Sequence, residues 1–225
     1  MGLRELKKEQ TRQLITDTAW RLFVDRGFDR VTVAEIAREA QVAEATVFNY
    51  FGSKEDLFYW RLEALGTRLT DAVRERPPGE PALAAFRREL LAQQGGLLAQ
   101  AESGDIEALG RLRMVSRVIA GSPALIARER QAMSRTADAL AALLAAETGA
   151  AGDDIRPQVA ANALLGLHQA LIDYVRRRVL AGDDLSGLAP DVRKVAAAAF
   201  ALLEHGLGDY AAKPPGTARG AEGAR

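Results

Sequence analysis

Apolar residues recur at intervals of three and four along almost the whole chain, and no stretch keeps up the two-residue alternation that is typical of β-strands. Good helix formers, chiefly Ala, Leu, Arg and Glu, fill the positions between them. This pattern predicts an all-α protein of about nine helices. With 225 residues, the chain can bury a sizeable apolar core without covalent cross-links.

The composition excludes several kinds of functional site. Because cysteine is absent, disulfides, thiolate metal sites and thiol catalysis are ruled out, and His168 and His205 are the only imidazoles. The sequence also lacks a phosphate-cradling glycine loop, a G-x-S-x-G elbow and paired histidines at metal-binding spacing. We therefore expect no enzyme activity, no metal and no cofactor. The charged first residues and the lack of a long apolar run predict neither a signal peptide nor a membrane span, and favour a cytoplasmic location.

Helix-terminating residues divide the first third of the chain. A first helix is predicted at about 4–26, where Gly27 followed by Phe28 is typical of a left-handed cap with an apolar contact. A long helix is predicted to begin after Ser53, whose hydroxyl can cap it. It ends near residue 76, because the proline pair at 77–78 cannot continue a helix.

Further helices are predicted at about 81–100, 105–120, 123–148, 155–181 and 190–207. The glycine pair at 95–96 costs about 2 kcal/mol relative to alanine in a helix, so we expect a bend or break there. Ser122 and Pro123 are typical of a helix start. Residues 212–225, rich in glycine, alanine and proline, are predicted to be a disordered tail.

Two short helices are predicted between residues 32 and 51. Thr32 and Glu35 fit a capping box, in which the hydroxyl and the carboxylate each bind a free backbone N–H group. The first helix buries four residues at helical spacing: Val33, Ile36, Ala37 and Ala40. The second, at about 44–50, buries Val47 and Phe51 and leaves its other side free. This layout is typical of a helix-turn-helix, whose second helix enters the DNA major groove.

Residues 32–57 read T-V-A-E-I-A-R-E-A-Q-V-A-E-A-T-V-F-N-Y-F-G-S-K-E-D-L. This segment resembles the signature of the tetracycline-repressor (TetR) family, T-V-x-x-I-A-x-x-A-G-V-S-x-x-T-x-Y-x-Y-F-x-S-K-x-x-L. Gln41 stands where the family has glycine, Ala43 where it has serine, and Phe48 where it has tyrosine. The resemblance implies a helix-turn-helix DNA-binding domain at 1–53 and a helical effector-binding and dimerisation domain at 54–211.

The resemblance also implies which residues contact DNA. Four of them would lie near phosphates: Thr32, Thr46, Tyr50 and Lys54. Four others would lie nearest the bases: Glu44, Ala45, Phe48 and Asn49. Asn49 can pair with adenine, whereas Glu44 can either accept from cytosine or repel the backbone. The alternative is a helix pair that serves stability alone, with Phe48, Tyr50 and Phe51 in the core.

For the remainder of the chain, the resemblance implies a ligand-responsive repressor that dimerises through its last two helices. A small-molecule effector would release this homodimer from a pseudo-palindromic duplex DNA operator. Four residues are candidates for effector binding: Arg113, Arg117, His168 and Asp173. For each of them a core, solvent-exposed or salt-bridge role remains open. The arginine run at 176–178 lies near a helix C-terminus, where cations oppose the dipole, and is predicted to be surface.

The charge balance favours a different class of protein. Lys and Arg total 30, as do Asp and Glu, and residues 1–60 hold nine basic against ten acidic residues. A helical scaffold or interaction protein explains this neutrality better than a DNA-binding protein does, and only residues 32–57 distinguish the two. A neutral DNA-binding domain predicts weak non-specific binding, which depends on phosphate neutralisation.

Overall fold

The structure is a computed structural model that describes residues 2–102 and 106–207, with side chains at all of these positions except 3, 61–65, 93–102, 106–108, 111 and 207. Within these ranges the regular structure is helical: α1 (Leu3–Arg26), α2 (Val33–Glu39), α3 (Glu44–Tyr50), α4 (Lys54–Arg74), α5 (Ala82–Glu102), α6 (Ile106–Gly121), α7 (Pro123–Thr148), α8 (Arg156–Ala181) and α9 (Leu188–Leu207). The all-α prediction is confirmed. The predicted tail at 212–225 lies outside the described residues.

Local chemistry accounts for several helix ends. At the start of α7, the Ser122 hydroxyl accepts a hydrogen bond from the Leu125 N–H, and Pro123 occupies the first turn. Gly149 and Gly182 take the left-handed conformation at the ends of α7 and α8, which a side chain would disfavour. These ends were predicted because their signals involve residues close together in the sequence.

Two predictions about glycine were wrong. Gly27 has a positive φ of 85°, but its ψ of 148° is extended, so it does not form the predicted left-handed cap. The apolar contact is present nonetheless, because the Phe23 and Phe28 rings lie 5.1 Å apart. In addition, α5 continues through residues 95–96 as one helix, so the break that the prediction of a bend or break allowed does not occur. Helix propensity is a weak preference that tertiary packing overrides.

Two hydrophobic cores share α4. The N-terminal core combines α1, α2 and α3 with residues of α4, α6 and α7, and includes Phe23, Ile36, Val47, Leu57, Phe58, Ile119 and Leu125. The central core combines α4, α5, α7, α8 and α9, and includes Leu69, Phe86, Leu140, Leu164 and Phe200. The first turns of α4 therefore belong to one core and its last turns to the other. Among the described residues, no helix is long and apolar enough to cross a membrane.

The packing of α4 against α7 is close. A Cβ atom at Gly66 would lie only 2.5 Å from the Thr136 hydroxyl oxygen, so glycine permits the approach. Beyond the end of α4, the fully buried Arg76 side chain donates to both carboxylate oxygens of Glu147, at 3.1 and 2.6 Å. Arg76 also donates to the backbone carbonyls of Val73 and Glu80. The far end of α4 is thus fixed to the far end of α7.

Candidate nucleic-acid interface

The predicted capping box at the start of α2 is confirmed. The Thr32 hydroxyl accepts from the Glu35 N–H at 3.2 Å, while the Glu35 carboxylate accepts from the Thr32 N–H at 2.8 Å and from the Thr32 hydroxyl at 2.9 Å. The hydrogen bonds from the backbone and side chain of Thr32 lower the pKa of Glu35. The exposed Thr32 is therefore held in one orientation at the edge of the helix pair.

The turn between α2 and α3 has an unusual backbone. Gln41 is the one non-glycine residue with a positive φ, 55°, among the described residues. This conformation costs an L-residue other than glycine about 1–2 kcal/mol, which explains why glycine suits the position. The turn is closed by hydrogen bonds from the Gln41 N–H to the Arg38 carbonyl and from the Val42 N–H to the Ala37 carbonyl. Ala43, which directly precedes α3, provides no side-chain cap for it.

Helix α3 is anchored on one side and exposed on the other. Val47 and Phe51 are buried, as predicted. Glu44, Ala45 and Asn49 are exposed, and Phe48 is 49% exposed. Thr46 and Tyr50 are half-buried, and the centre of the Tyr50 ring lies 6.4 Å from that of Phe51 and 5.8 Å from the Arg12 guanidinium. Phe48 is therefore not a core residue, contrary to the alternative in which the helix pair serves stability alone.

Lys54 has a structural contact that the sequence does not indicate. Its Nζ donates to the carbonyl oxygens of Phe28 at 3.0 Å and Val31 at 3.1 Å, and lies 4.2 Å from the centre of the Phe28 ring. Lys54 thereby ties the start of α4 to the segment between α1 and α2. An ammonium group has three donors, so one remains for another acceptor.

Salt bridges pair part of the acidic charge of this region. The two acidic residues at the ends of α2 are paired with arginines of α1: Glu39 lies 2.9 Å from Arg21, and Glu35 lies 3.6 Å from Arg26. Several exposed cations form no salt bridge within the described part of the chain: Arg4, Lys7, Lys8 and Arg30. Unpaired cations are the groups available to bind phosphate.

Comparison with known proteins agrees with this geometry. Residues 15–59 match the family described as "Bacterial regulatory proteins, tetR family", and residues 80–208, more than half of the chain, match the "MftR C-terminal domain". The transcriptional regulator TcmR of Streptomyces glaucescens is 31% identical over 160 residues, which cover 70% of this chain and 69% of TcmR. The chain belongs to the TetR family. It is therefore a helix-turn-helix DNA-binding transcriptional regulator and not an enzyme.

Other relatives match over different lengths. The transcriptional regulator BetI of Rhizobium meliloti is 42% identical, but over 60 residues that cover only 27% of this chain and 30% of BetI. Among solved structures, NalD of Pseudomonas aeruginosa has a TM-score of 0.53 at 22% identity and covers 86% of this chain and 96% of its own. The SmeT–triclosan complex has a TM-score of 0.52 at 17% identity, with coverages of 84% and 91%. These two structures show the same fold.

The candidate effector residues of this TetR-family chain lie in different surroundings. His168, on α8, is 2% exposed; burial lowers its pKa to about 4, and its Nδ1 has no hydrogen-bond partner. On α6, Arg113 is half-buried and Arg117 is exposed. The Asp173 side chain is 44% exposed and accepts from Gln169 at 3.2 Å. His168 is thus the deeply buried member of the set, and no group of three or more potential metal ligands occurs among the described residues.

The prediction that residues 176–178 are surface was wrong for Arg176. Arg176 donates to both carboxylate oxygens of Glu129, at 3.1 and 2.6 Å. Arg178 donates to Tyr174 at 2.9 Å and to Asp191 at 3.0 Å, and pairs with Asp183. Arg177 is exposed, and Arg178 remains at the surface with its side chain 28% exposed. Glu129 lies 47 positions from Arg176, so no local pattern could indicate the pair.

Proposed function

We propose that this regulator is a homodimeric repressor that a small-molecule effector releases from a pseudo-palindromic operator. The observation that carries the proposal is that one side of α3 is exposed. On its other side, the buried Val47 and Phe51 anchor the helix in the N-terminal core. A rigid helix with exposed side chains fits the major groove, and a dimer places two such helices about one DNA turn apart. We assign DNA binding to residues 1–53, and effector binding and dimerisation to 54–211, of which 208–211 lie outside the described residues.

Within this proposal the candidate DNA-contacting residues form two sets with different chemistry. Glu44, Ala45, Phe48 and Asn49 face the bases, where the Asn49 amide can pair with adenine and the Phe48 ring can contact a thymine methyl group. The second set binds phosphates: Thr32, Thr46, Tyr50 and Lys54. Lys54 retains one donor after its two carbonyl contacts, and it begins a helix whose free N–H groups favour phosphate.

Asn49→Ala is expected to weaken operator binding by about 1–3 kcal/mol and to relax base preference at one position of each half-site, because it removes a base contact. No hydrogen bond within the described part of the chain uses the Asn49 side chain, so folding should be unaffected. The operator would first be located by footprinting the DNA beside the protein's own coding region. Binding of both proteins would then be titrated at two salt concentrations.

Asp153→Asn is the matched control, because Asp153 is exposed in the loop between α7 and α8, at the opposite end of α7 from the N-terminal core. It should bind the operator as the wild type does. Tyr50→Ala, which removes a phosphate contact, should weaken binding to all sequences alike. Absence of salt-sensitive, sequence-selective binding by the wild type would refute the regulator proposal.

Apolar side chains left exposed on α8 and α9 support dimerisation through these helices. Val159 is 53% exposed on α8, and Leu202 is 80% exposed on α9, where it follows Val195 by seven positions on the same face. Exposed glycine and alanine at 166, 170 and 198 permit close approach of a second copy. Such a face suits a two-fold interface, in which the same surface is used by both subunits.

Leu202→Glu is expected to shift the protein to monomer, because it places two charges in the proposed interface without disturbing the core. Sedimentation velocity would measure the change in mass, and operator binding should weaken with it. Glu204→Gln, an exposed position two residues away, serves as the control. A Leu202→Glu protein that remains dimeric would place the interface elsewhere.

The proposed effector site includes His168, because a buried imidazole nitrogen without a partner can accept or donate one hydrogen bond to a ligand. Arg113, Arg117 and Asp173 remain candidates at its periphery. The solved relatives lend support: NalD is a repressor, and SmeT was solved with triclosan. A cytoplasmic location, where the DNA lies, completes the proposal.

A further inference from the structure

Two adjacent residues of α7 form ion pairs with two different helices. Arg128 donates from Nε to the Asp56 carboxylate on α4 at 2.5 Å. Its neighbour Glu129 accepts two hydrogen bonds from Arg176 on α8, at 2.6 and 3.1 Å. Because adjacent helical residues point about 100° apart, one turn of α7 connects α4 on one side and α8 on the other.

Three of the four charged side chains in these ion pairs are shielded from solvent. Those of Arg128, Glu129 and Arg176 are only 10%, 10% and 15% exposed, whereas that of Asp56 is 35% exposed. A desolvated charge is stable only while its partner stays in place, so each pair strongly restricts the relative position of its two helices. Burial alone would raise the pKa of Asp56, but hydrogen bonds from Arg128 and Ser53 outweigh it and lower that pKa.

Asp56 lies on the part of α4 that carries the helix-turn-helix. Its backbone N–H donates to the Ser53 hydroxyl, which caps α4, and Lys54 in the same turn binds the segment between α1 and α2. Leu57 and Phe58, which follow directly, belong to the N-terminal core together with Val47 of α3. A displacement of Asp56 would therefore move α3 as well.

One turn further along α4, Tyr59 lies beside the second ion pair. Its hydroxyl is buried without a hydrogen-bond partner, and burial together with the negative charge of Glu129 raises its pKa. Asp56 and Tyr59 are three positions apart and share one face of α4. That face is therefore directed toward both ion pairs of α7.

We propose that Arg128 and Glu129 are positioning residues, which set the angle of α4 and hence the separation of the two recognition helices according to the position of α8. This inference rests on the proposed function as a dimeric DNA-binding regulator. It specifies how a change in α8, which belongs to the proposed effector-binding and dimerisation domain, would alter the position of the DNA-binding helices. A change in the position of α8 is transmitted to α4 through four residues in series: Arg176, Glu129, Arg128 and Asp56. None of the four side chains needs to contact DNA.

The test uses the full-length protein and the footprinted operator, together with copies of that operator whose half-site separation is changed by one base pair. Arg128→Ala and Glu129→Gln are expected to weaken binding to the native spacing by about tenfold and to reduce discrimination between spacings. Spacing discrimination is the informative readout, because simple loss of stability lowers binding to every spacing alike. Arg128→Lys, which keeps the charge, should restore discrimination in part.

Glu147→Gln is the matched control, since it disturbs another buried arginine pair on α7, at the far end of α4. It should lose stability but keep the wild-type spacing preference. If Arg128→Ala does not fold by circular dichroism, Asp56→Asn tests the same pair with an isosteric change. Wild-type discrimination in the Arg128 or Asp56 variant and in Glu129→Gln would refute the inference alone, whereas a wild-type protein that binds no operator would refute the proposed function with it.

Discussion

Replacing Phe58 by alanine is expected to lower the free energy of unfolding by about 3–5 kcal/mol, because it leaves a cavity at the centre of the N-terminal core. Phe58 is fully buried and contacts four aromatic rings: Trp20, stacked at 5.1 Å, Phe28 at 5.4 Å, Tyr59 at 5.5 Å and Phe23 at 5.9 Å. These rings come from α1, α4 and the segment between α1 and α2. Urea denaturation followed by tryptophan fluorescence would measure the loss, because Trp20 stacks directly on the deleted ring.

Phe48→Ala is the control for this prediction. Phe48 is the same residue type in the same region, but half of its surface is exposed and its deletion leaves no closed cavity. Its effect on unfolding should be within about 0.5 kcal/mol, as for most surface substitutions, while operator binding weakens. Equal destabilisation by the two alanine variants would mean that Phe58 is not the centre of the core described above.

The features that the sequence predicts well depend on residues that are close together in it. The capping box at Thr32 and Glu35 and the cap at Ser122 each involve positions within four residues of one another. The buried side of α2 follows from helical periodicity in the same way. For this reason helix bounds, and the exposed side of α3, were predictable.

The features that the sequence does not predict depend on distant partners. Arg176 reads as a surface cation at a helix end until Glu129, on another helix, is known to face it. Lys54 reads as a phosphate contact, and nothing nearby in the sequence indicates that the carbonyls of Phe28 and Val31 bind it. The coupling between α4, α7 and α8 is composed of such contacts, so it emerges only from the fold.

His168 should make the protein less stable as the pH falls below neutrality. Burial lowers its pKa from the ordinary 6.5 to about 4. Between these values the unfolded chain takes up a proton at this position and the folded chain does not, so the free energy of unfolding falls as the pH drops from about 6.5 to 4. A shift of this size corresponds to about 3 kcal/mol once the pH is below both values.

The measurement is the free energy of unfolding at several pH values for the wild type and for His168→Leu, which fills similar volume without a titratable group. Subtracting the two removes the contribution of carboxylates such as Glu35 and Asp56, whose pKa values are lowered in both proteins. The difference should grow in favour of the leucine variant as the pH falls. His205→Gln, at an exposed position, should follow the wild type. Parallel curves for wild type and His168→Leu would mean that the imidazole becomes protonated in the folded protein as readily as in the unfolded chain, and that the interior around it admits charge.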